Sequence, residues 1–418
     1  MNILCAGIDV STTNNVVCLI DAEGKIVDKI RSFPQNQSGA LALEKWLEGI
    51  ATQSAVTGMR IATEATSFYD LPILDYLAES VALSKFKPEL YRLNAKYIKR
   101  FRQSMGEREK TDWEDARVIA VRLMSGSLPH PYLSNQTSLP LQRLTRYRVH
   151  LVNSIAREKQ YMLTHLFLKY STYKTEGPLA KQVFGATSRA IMEEYFSAEQ
   201  IANQSVRDLA LFVARHGKGR SLRTEEIAKG LQAMAKEAHR IRPSLAKSVN
   251  IIIASSIRSI QALQGALKEV NRAIQDELGG FTQTLQTIPG IGPVYSAGIF
   301  AEIGDVNRFK SSDQIAKFAG LWWPRHQSGS FEAEEKRLHR AGNKYLRYYL
   351  VEAANSCRVH NPEYKQYYQK KYAEVPRHKH KRALVLSARK LVRPVYALLK
   401  RGEIYRGGNP QNYSANRD

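Results

Sequence analysis

A change of hydrophobic period constrains this chain more than any other feature. Up to about residue 125, short apolar runs alternate with amphipathic segments. Past Pro129, Pro131 and Pro140 the spacing turns helical and stays so to Leu278. Leu4–Val10 and Asn15–Asp21 read as strands, and Ala22-Glu23-Gly24-Lys25 as a turn into a third, Ile26–Phe33. Gln37–Ala51 has helical spacing at Leu41, Leu43, Trp46, Leu47 and Ile50. Arg60–Ala65 reads as a strand, Leu71–Ser80 as a helix, Leu83–Phe86 as a buried strand and Asp112–Met124 as a helix. That βββαβαβα order predicts a mixed α/β domain over residues 1–130.

Residues 131–282 read as a helical linker. Ile260, Leu263, Leu267, Val270, Ile274 and Leu278 form a seam stepping by three or four, suited to packing within one bundle or to a dimer contact. Gly279-Gly280 ends the seam, and a mainly helical third region is expected over 283–405, with a Gly/Asn/Ser-rich disordered tail at 406–418. The fold class is therefore α/β plus α.

Charge narrows the partners. Sixty-two Lys and Arg face 39 Asp and Glu in 418 residues, a formal charge of +23. Residues 85–110 carry nine Lys or Arg against three Glu, and 370–406 carry twelve against two. Such a chain repels itself unless it meets a polyanion, and nucleic acid is the simplest one. No apolar run reaches the roughly 18 residues a membrane helix requires. MNILCAGIDV, with Asp9, reads as a first strand and not as a signal peptide, and three scattered cysteines support neither a disulfide framework nor a zinc knuckle. No membrane partner and a cytoplasmic, nucleoid-associated location are expected.

Four carboxylates stand out. Asp9 lies on the first strand, Glu64 at the end of a later one, and Asp112 and Asp115 at i,i+3 on one helix. Carboxylates crowd together ionised only when divalent cations neutralise them, as in a site with two Mg²⁺ for phosphoryl transfer. Taken singly, each fits a solvated surface acid, and Asp112 a partner of the helix dipole. Gly7-Ile8-Asp9-Val10-Ser11-Thr12-Thr13 is also similar to the phosphate loop of sugar kinases and actin-like ATPases, but no later Gly-rich loop precedes Gly290 and the charge is odd for a metabolite kinase.

Pro289-Gly290-Ile291-Gly292-Pro293, feeding an apolar helix, resembles a helix-hairpin-helix, whose bare N–H groups grip phosphate without reading sequence. An ordinary turn between packed helices is the plainer reading. In the loop Trp322–Ser330, Ser328 stands beside a glycine, while Arg325, Lys336, Arg340, Lys344 and Arg347 are candidate phosphate clamps.

These residues carry a resemblance to the DEDD insertion-sequence transposases of the IS-one-ten type, related to the Piv DNA invertase. Gly7-Ile8-Asp9 with Glu64 and Asp112-x-x-Asp115 is one match. Pro289-Gly290-Ile291-Gly292 through Phe318-Ala319-Gly320-Leu321 is a second. Gln327-Ser328-Gly329 with Gly342-Asn343-x-x-Leu346-Arg347 is a third. The resemblance covers roughly residues 1–125 and 283–358. It implies an RNase H-like, RuvC-type first domain (1–130) and a helical transposase domain (283–405) joined by a coiled coil. It further implies Mg²⁺, two ions, on Asp9, Glu64, Asp112 and Asp115, with Ser328 as the nucleophile that links to a DNA phosphate; Ser330 is the neighbouring alternative. Gly290, Gly292, Arg325, Lys344 and Arg347 would contact nucleic acid. Donor and target DNA, a structured guide RNA and a homo-oligomer (dimer or tetramer) are the implied partners. The helical middle is longer than the resemblance leads one to expect, and the basic end past Arg377 lies outside its motifs. A RuvC-like Mg²⁺-dependent nuclease without a covalent intermediate is the main alternative, and a non-enzymatic nucleic-acid scaffold the third reading.

Overall fold

The computed structural model describes residues 2–65, 68–106, 111–132, 138–217, 223–323, 327–328, 331–332, 338 and 341–407. They gather into two compact units, Met1–Thr137 and Ser138–Asp418.

The first unit is built on a five-stranded sheet. Its strands are β1 (Ile3–Val10), β2 (Asn14–Ile20), β3 (Arg31–Pro34), β4 (Gly58–Glu64) and β5 (Pro88–Leu93), in the order β3-β2-β1-β4-β5. β1 and β2, and β2 and β3, run antiparallel; β1, β4 and β5 run parallel. The central strands are apolar almost throughout because both sheet faces are covered. On one face, Leu4, Ala6 and Ile8 pack with Ile61 against the helices α1 (Gln37–Gln53), α2 (Leu71–Ala78) and α3 (Val81–Ser84). On the other, Cys5, Cys18, Ile20 and Ala62 pack against α4 (Ala95–Ser104) and α5 (Asp112–Met124).

Two expected strands are corrected. Leu83–Phe86 is not a strand: the Ser80 hydroxyl accepts the Leu83 N–H and starts the short helix α3, and the fifth strand begins only at Pro88. Leu83 and Phe86 are buried all the same, on either side of Ser84 and Lys85, which is why the segment reads as a buried strand. The expected strand Ile26–Phe33 shrinks to one bridge at Ile26 and the four residues of β3. Asp28 interrupts it, its carboxylate accepting from Lys29 N (2.7 Å) and Trp46 Nε1 (2.8 Å).

The second unit is helical. α6 (Leu139–Lys169) and α11 (Pro243–Leu278) pack along one another. Leu141 shares a core with Ile274 and Leu278, and Met162 and Leu166 share another with Val249, Ile253 and Ile257, so the two helices run antiparallel. Between them in sequence, α7 (Ala186–Glu194), α8 (Ala198–Asn203), α9 (Val206–His216) and α10 (Thr224–Glu237) close the latter core. The Ile260–Leu278 seam engages these two cores at its ends, while Leu263, Leu267 and Val270 stay half-buried. α12 (Pro293–Ile303), α13 (Ser312–Phe318), the two-residue strands β6 (Gln327–Ser328) and β7 (Phe331–Glu332), α14 (Lys344–His360), α15 (Pro362–Ala373) and α16 (Lys379–Arg401) follow, and the helices enclose a third core that also takes in Val149 of α6. No helix among the described residues is long and apolar enough to cross a membrane. Residues 408–418, most of the expected tail, lie outside the described residues.

Candidate active site

Parallel pairing sets Ile8 beside Thr63, the last pair of that ladder, and Asp9 and Glu64 each follow by one residue. Neighbouring strands lie about 5 Å apart, so the two carboxylates stand side by side at the C-terminal ends of two interior strands. Side chains alternate along a strand, and Asp9 follows Cys5 and Gly7 onto the face covered by α5, as Glu64 follows Ala62. Gly7 lets α5 come close: a Cβ there would overlap the Ala116 carbonyl oxygen and the Ala120 backbone. Asp115 and Asp112 precede Ala116 by one and four residues, in the first turn of α5, where the Thr111 hydroxyl accepts the Glu114 N–H at 3.2 Å. The helix dipole favours acids in that turn whatever else they do.

The carboxylates are not equivalent. Asp9, Glu64 and Asp115 are partly buried and Asp112 is exposed. The Arg102 guanidinium of α4 pairs with Asp115, both side chains being about one-seventh exposed (16% and 14%). All-oxygen donors of this kind suit Mg²⁺. Among the described residues, however, no three His, Cys, Asp or Glu side chains converge closely enough to hold an ion. The donor set thus fits Mg²⁺ in the kind of atom it offers, with Asp9 and Glu64 on neighbouring strands, Asp112 and Asp115 on α5, and a guanidinium in place as the cation on Asp115.

Sequence reading missed Asp70, which is 2% exposed and lies six residues past Glu64. Arg92 of β5 grips both its oxygens, one at 2.8 Å, and Thr63 Oγ1 donates to it at 3.3 Å. Since Thr63 alternates with Glu64, this pair fastens the opposite face of β4.

In the second unit the structure ties down both ends of the loop that carries Ser328. Asn343 N donates to Phe318 O (2.6 Å), and Arg347 donates to Ala319 O (3.0 Å). The Asn343 side chain caps α14, accepting from Tyr345 N and Leu346 N at 3.0 Å, and donates to Glu302 Oε2 at 2.7 Å. Glu302, 2% exposed on α12, also accepts both forks of Arg146 from α6 at 2.6 and 2.9 Å. No sequence signal marked Glu302 or Arg146, because their partners lie 41 and 156 residues away. Ser328 stands in β6 opposite Phe331 of β7. Its side chain lies outside the described residues, as do Arg325, Ser330, Lys336 and Arg340. The three cysteines are buried, and burial pushes the Cys5 and Cys18 thiols up to about 11 and Cys357 to about 12, so none is a ready nucleophile.

Gly290 and Gly292 part company. Gly290 has φ +98°, and a Cβ on it would meet the Cys357 N and Cα at 2.8 Å, so it seats the turn on α14. Gly292 is exposed at the start of α12, with Pro293 next in line and nothing within 4 Å of a Cβ. Lys344 is exposed at the start of α14, and Arg347 is half-buried against Ala319 O.

Two family models match the chain, a DEDD-type IS110 transposase model over residues 6–170 and the transposase IS116/IS110/IS902 family over residues 282–369. The transposase for insertion sequence element IS1111A of Coxiella burnetii is 28% identical over 254 residues, which is 55% of this chain and 67% of that protein. The insertion element IS116 uncharacterized 44.8 kDa protein of Streptomyces clavuligerus is 24% identical over 319 residues, 73% of this chain and 75% of its own length. The insertion element IS900 uncharacterized 42 kDa protein of Mycobacterium paratuberculosis is 25% identical over 307 residues, 71% and 73% of the two chains. All four carboxylates, Gly290, Gly292 and the segment from Ser328 to Arg347 fall within the matched spans.

Proposed function

Because the chain belongs to the IS116/IS110/IS902 family of DNA transposases, we propose that it cuts and rejoins donor and target DNA through a covalent phosphoserine at Ser328. The observation that carries the reading is the clamped base of the Ser328 loop, where Asn343, Arg347 and the buried Glu302, held by the half-buried Arg146, fix both ends. A nucleophile needs that restraint, since catalysis falls steeply when a reacting atom is misplaced.

Residues 1–130 are read as an RNase H-like, RuvC-type domain, 131–282 as the linker with its coiled coil, and 283–405 as the transposase domain. Asp9, Glu64, Asp112 and Asp115 would hold Mg²⁺, two ions, once Asp115 exchanges the Arg102 guanidinium for an ion. When bound, the metal supplies charge neutralisation at the scissile phosphate. The Ser328 oxygen attacks phosphorus, losing its proton as one P–O bond forms; another P–O bond breaks, and the departing sugar oxygen takes up a proton. Strand exchange is the reverse step on a new sugar hydroxyl, so no outside energy source is needed. The exposed Gly292 turn and Lys344 would hold phosphates from the backbone and from a point charge, and Arg325, Arg347 and Gly290 are assigned to the same nucleic-acid contact. A structured guide RNA would select the DNA, and the enzyme would act as a dimer or tetramer in the bacterial cytoplasm, at the nucleoid. The charge of +23 supports binding of two nucleic acids.

Junction PCR in bacteria carrying this gene with its native flanks tests the reading. Excised circles or rejoined ends should form with the wild type and vanish with Asp9→Ala and with Ser328→Ala. Junctions at wild-type levels in Ser328→Ala would remove the serine from the mechanism.

A further inference from the structure

Cations and tyrosines interleave on the C-terminal helices, on both sides of residue 369, where the family match ends. Between Arg358 and Arg382, eight Lys or Arg stand against two Glu, with four tyrosines among them. The fold assembles part of this run into one surface. The Arg358 guanidinium lies 4.9 Å from the Tyr368 ring centroid, Tyr368 and Tyr372 lie 5.8 Å apart, and Lys379 Nζ lies 5.6 Å from Tyr372. A 2.7 Å hydrogen bond between the Tyr368 hydroxyl and His380 Nδ1 fastens α15 to the first turn of α16. Tyr372 is 41% exposed.

Both glutamates are already engaged. Glu374 binds Lys371 (2.6 Å) and Arg382 (3.0 Å), and Glu363 binds Lys390 (2.7 Å) and the Tyr405 hydroxyl (2.9 Å). Among the described residues, neither glutamate reaches Lys370, Lys379 or Lys381. A surface with surplus cations calls for anions from outside, and neighbouring ring faces call for flat π surfaces. A duplex offers phosphates but hides its base faces in the stack, and an acidic protein segment offers charge without regular flat rings. A single strand offers both at once, a phosphate track and unstacked bases.

We propose that this face of α15 and α16 binds single-stranded nucleic acid, with Tyr368 and Tyr372 stacking on bases while Lys379 and its neighbours follow the backbone. The inference extends the transposase reading and depends on neither Ser328 nor the carboxylates.

Fluorescence anisotropy on the full-length protein tests it, using labelled oligo-uridine, oligo-thymidine and a duplex, each of about 20 nucleotides. Tyr372→Ala should weaken single-strand binding roughly five- to hundredfold and leave duplex binding unchanged, while Tyr372→Phe keeps wild-type affinity. Replacing Lys379 and Lys381 by Gln should flatten the salt dependence of single-strand binding. Tighter binding of oligo-uridine would identify RNA as the strand held, and tighter binding of oligo-thymidine would identify unpaired DNA. Equal losses on single strand and duplex, or no loss in Tyr372→Ala, would overturn the proposal. So would competition by poly-glutamate as strong as that by oligo-uridine. Unchanged binding in Tyr372→Ala alongside lost junctions in Ser328→Ala would remove this surface and leave the transposase mechanism standing.

Discussion

Lys169 gives the sharpest stability test. It ends α6 at 2% exposure, and its Nζ donates to Met192 O at 2.6 Å and to Asn250 Oδ1. Both partners are neutral acceptors. Burial therefore pulls the ammonium down from 10.5 to about 7. In the unfolded chain the amine stays protonated to about pH 10.4, so between these values the unfolded state binds the extra proton and stability rises with pH. The slope is about 1.4 kcal/mol per pH unit, which makes the penalty on the order of 5 kcal/mol at pH 7 and below and about 2 kcal/mol at pH 9. Lys169→Met keeps the stem, removes the penalty and leaves two acceptors unpaired, at about 1–3 kcal/mol each. With that loss at about 3 kcal/mol in total, the variant should be the more stable protein below about pH 8 and the less stable one by pH 9. Denaturant unfolding followed by circular dichroism at pH 6, 7, 8 and 9 would read this out. Parallel pH profiles for the two proteins would refute the reasoning, because an amine that is charged in both states cannot produce the slope.

Other perturbations follow from the same contacts. Gly7→Ala should cost about 1–3 kcal/mol, visible as a lower melting transition of the first unit, because the new methyl overlaps the α5 backbone; an unchanged transition would mean that α5 is free to shift. Glu302→Ala leaves the Arg146 guanidinium without its carboxylate and should destabilise the second unit by about 3 kcal/mol, with faster proteolysis between residues 322 and 341. Proteolysis at the wild-type rate would show that Glu302 does not anchor that loop. Arg102→Gln removes the cation paired with Asp115 and should tighten Mn²⁺ or Mg²⁺ binding by roughly five- to tenfold in calorimetry of the DNA-free protein; equal or weaker binding would detach Asp115 from the metal.

Much of the first unit was legible because its signals are local. β1, β2, β4, α1 and α5 follow apolar patterns that fix strand or helix within a few residues. α4 was hidden, since a short helix rich in Lys and Arg with only Ile98 buried looks like a charged loop. The fifth strand was misplaced because four residues, Leu83-Ser84-Lys85-Phe86, with two buried apolar ends are too few to separate a strand from a helical turn. At the site, the types of Asp9, Glu64, Asp112 and Asp115 were readable, whereas the neighbourhood of Asp9 and Glu64 arises from parallel pairing between strands some 50 residues apart. The pairings Asp70–Arg92, Arg102–Asp115 and Glu302–Arg146 were invisible for the same reason: a buried charge is marked by its partner, and the partner is distant in sequence. Lys169 gave no warning at all, being one lysine among many until the fold closed around it.

The central claim is a covalent bond from Ser328 to DNA, and its direct measurement is an adduct assay. The purified protein, with RNA transcribed from the flanks of its gene, would be incubated with labelled DNA spanning those flanks, then resolved under denaturing conditions with peptide mapping of any retained label. Label is expected on the peptide containing Ser328, and is expected to be absent in Ser328→Ala and in Asp9→Asn. Cleaved DNA that runs free of protein in the wild type, with cleavage undiminished in Ser328→Ala, would contradict it and leave water as the nucleophile.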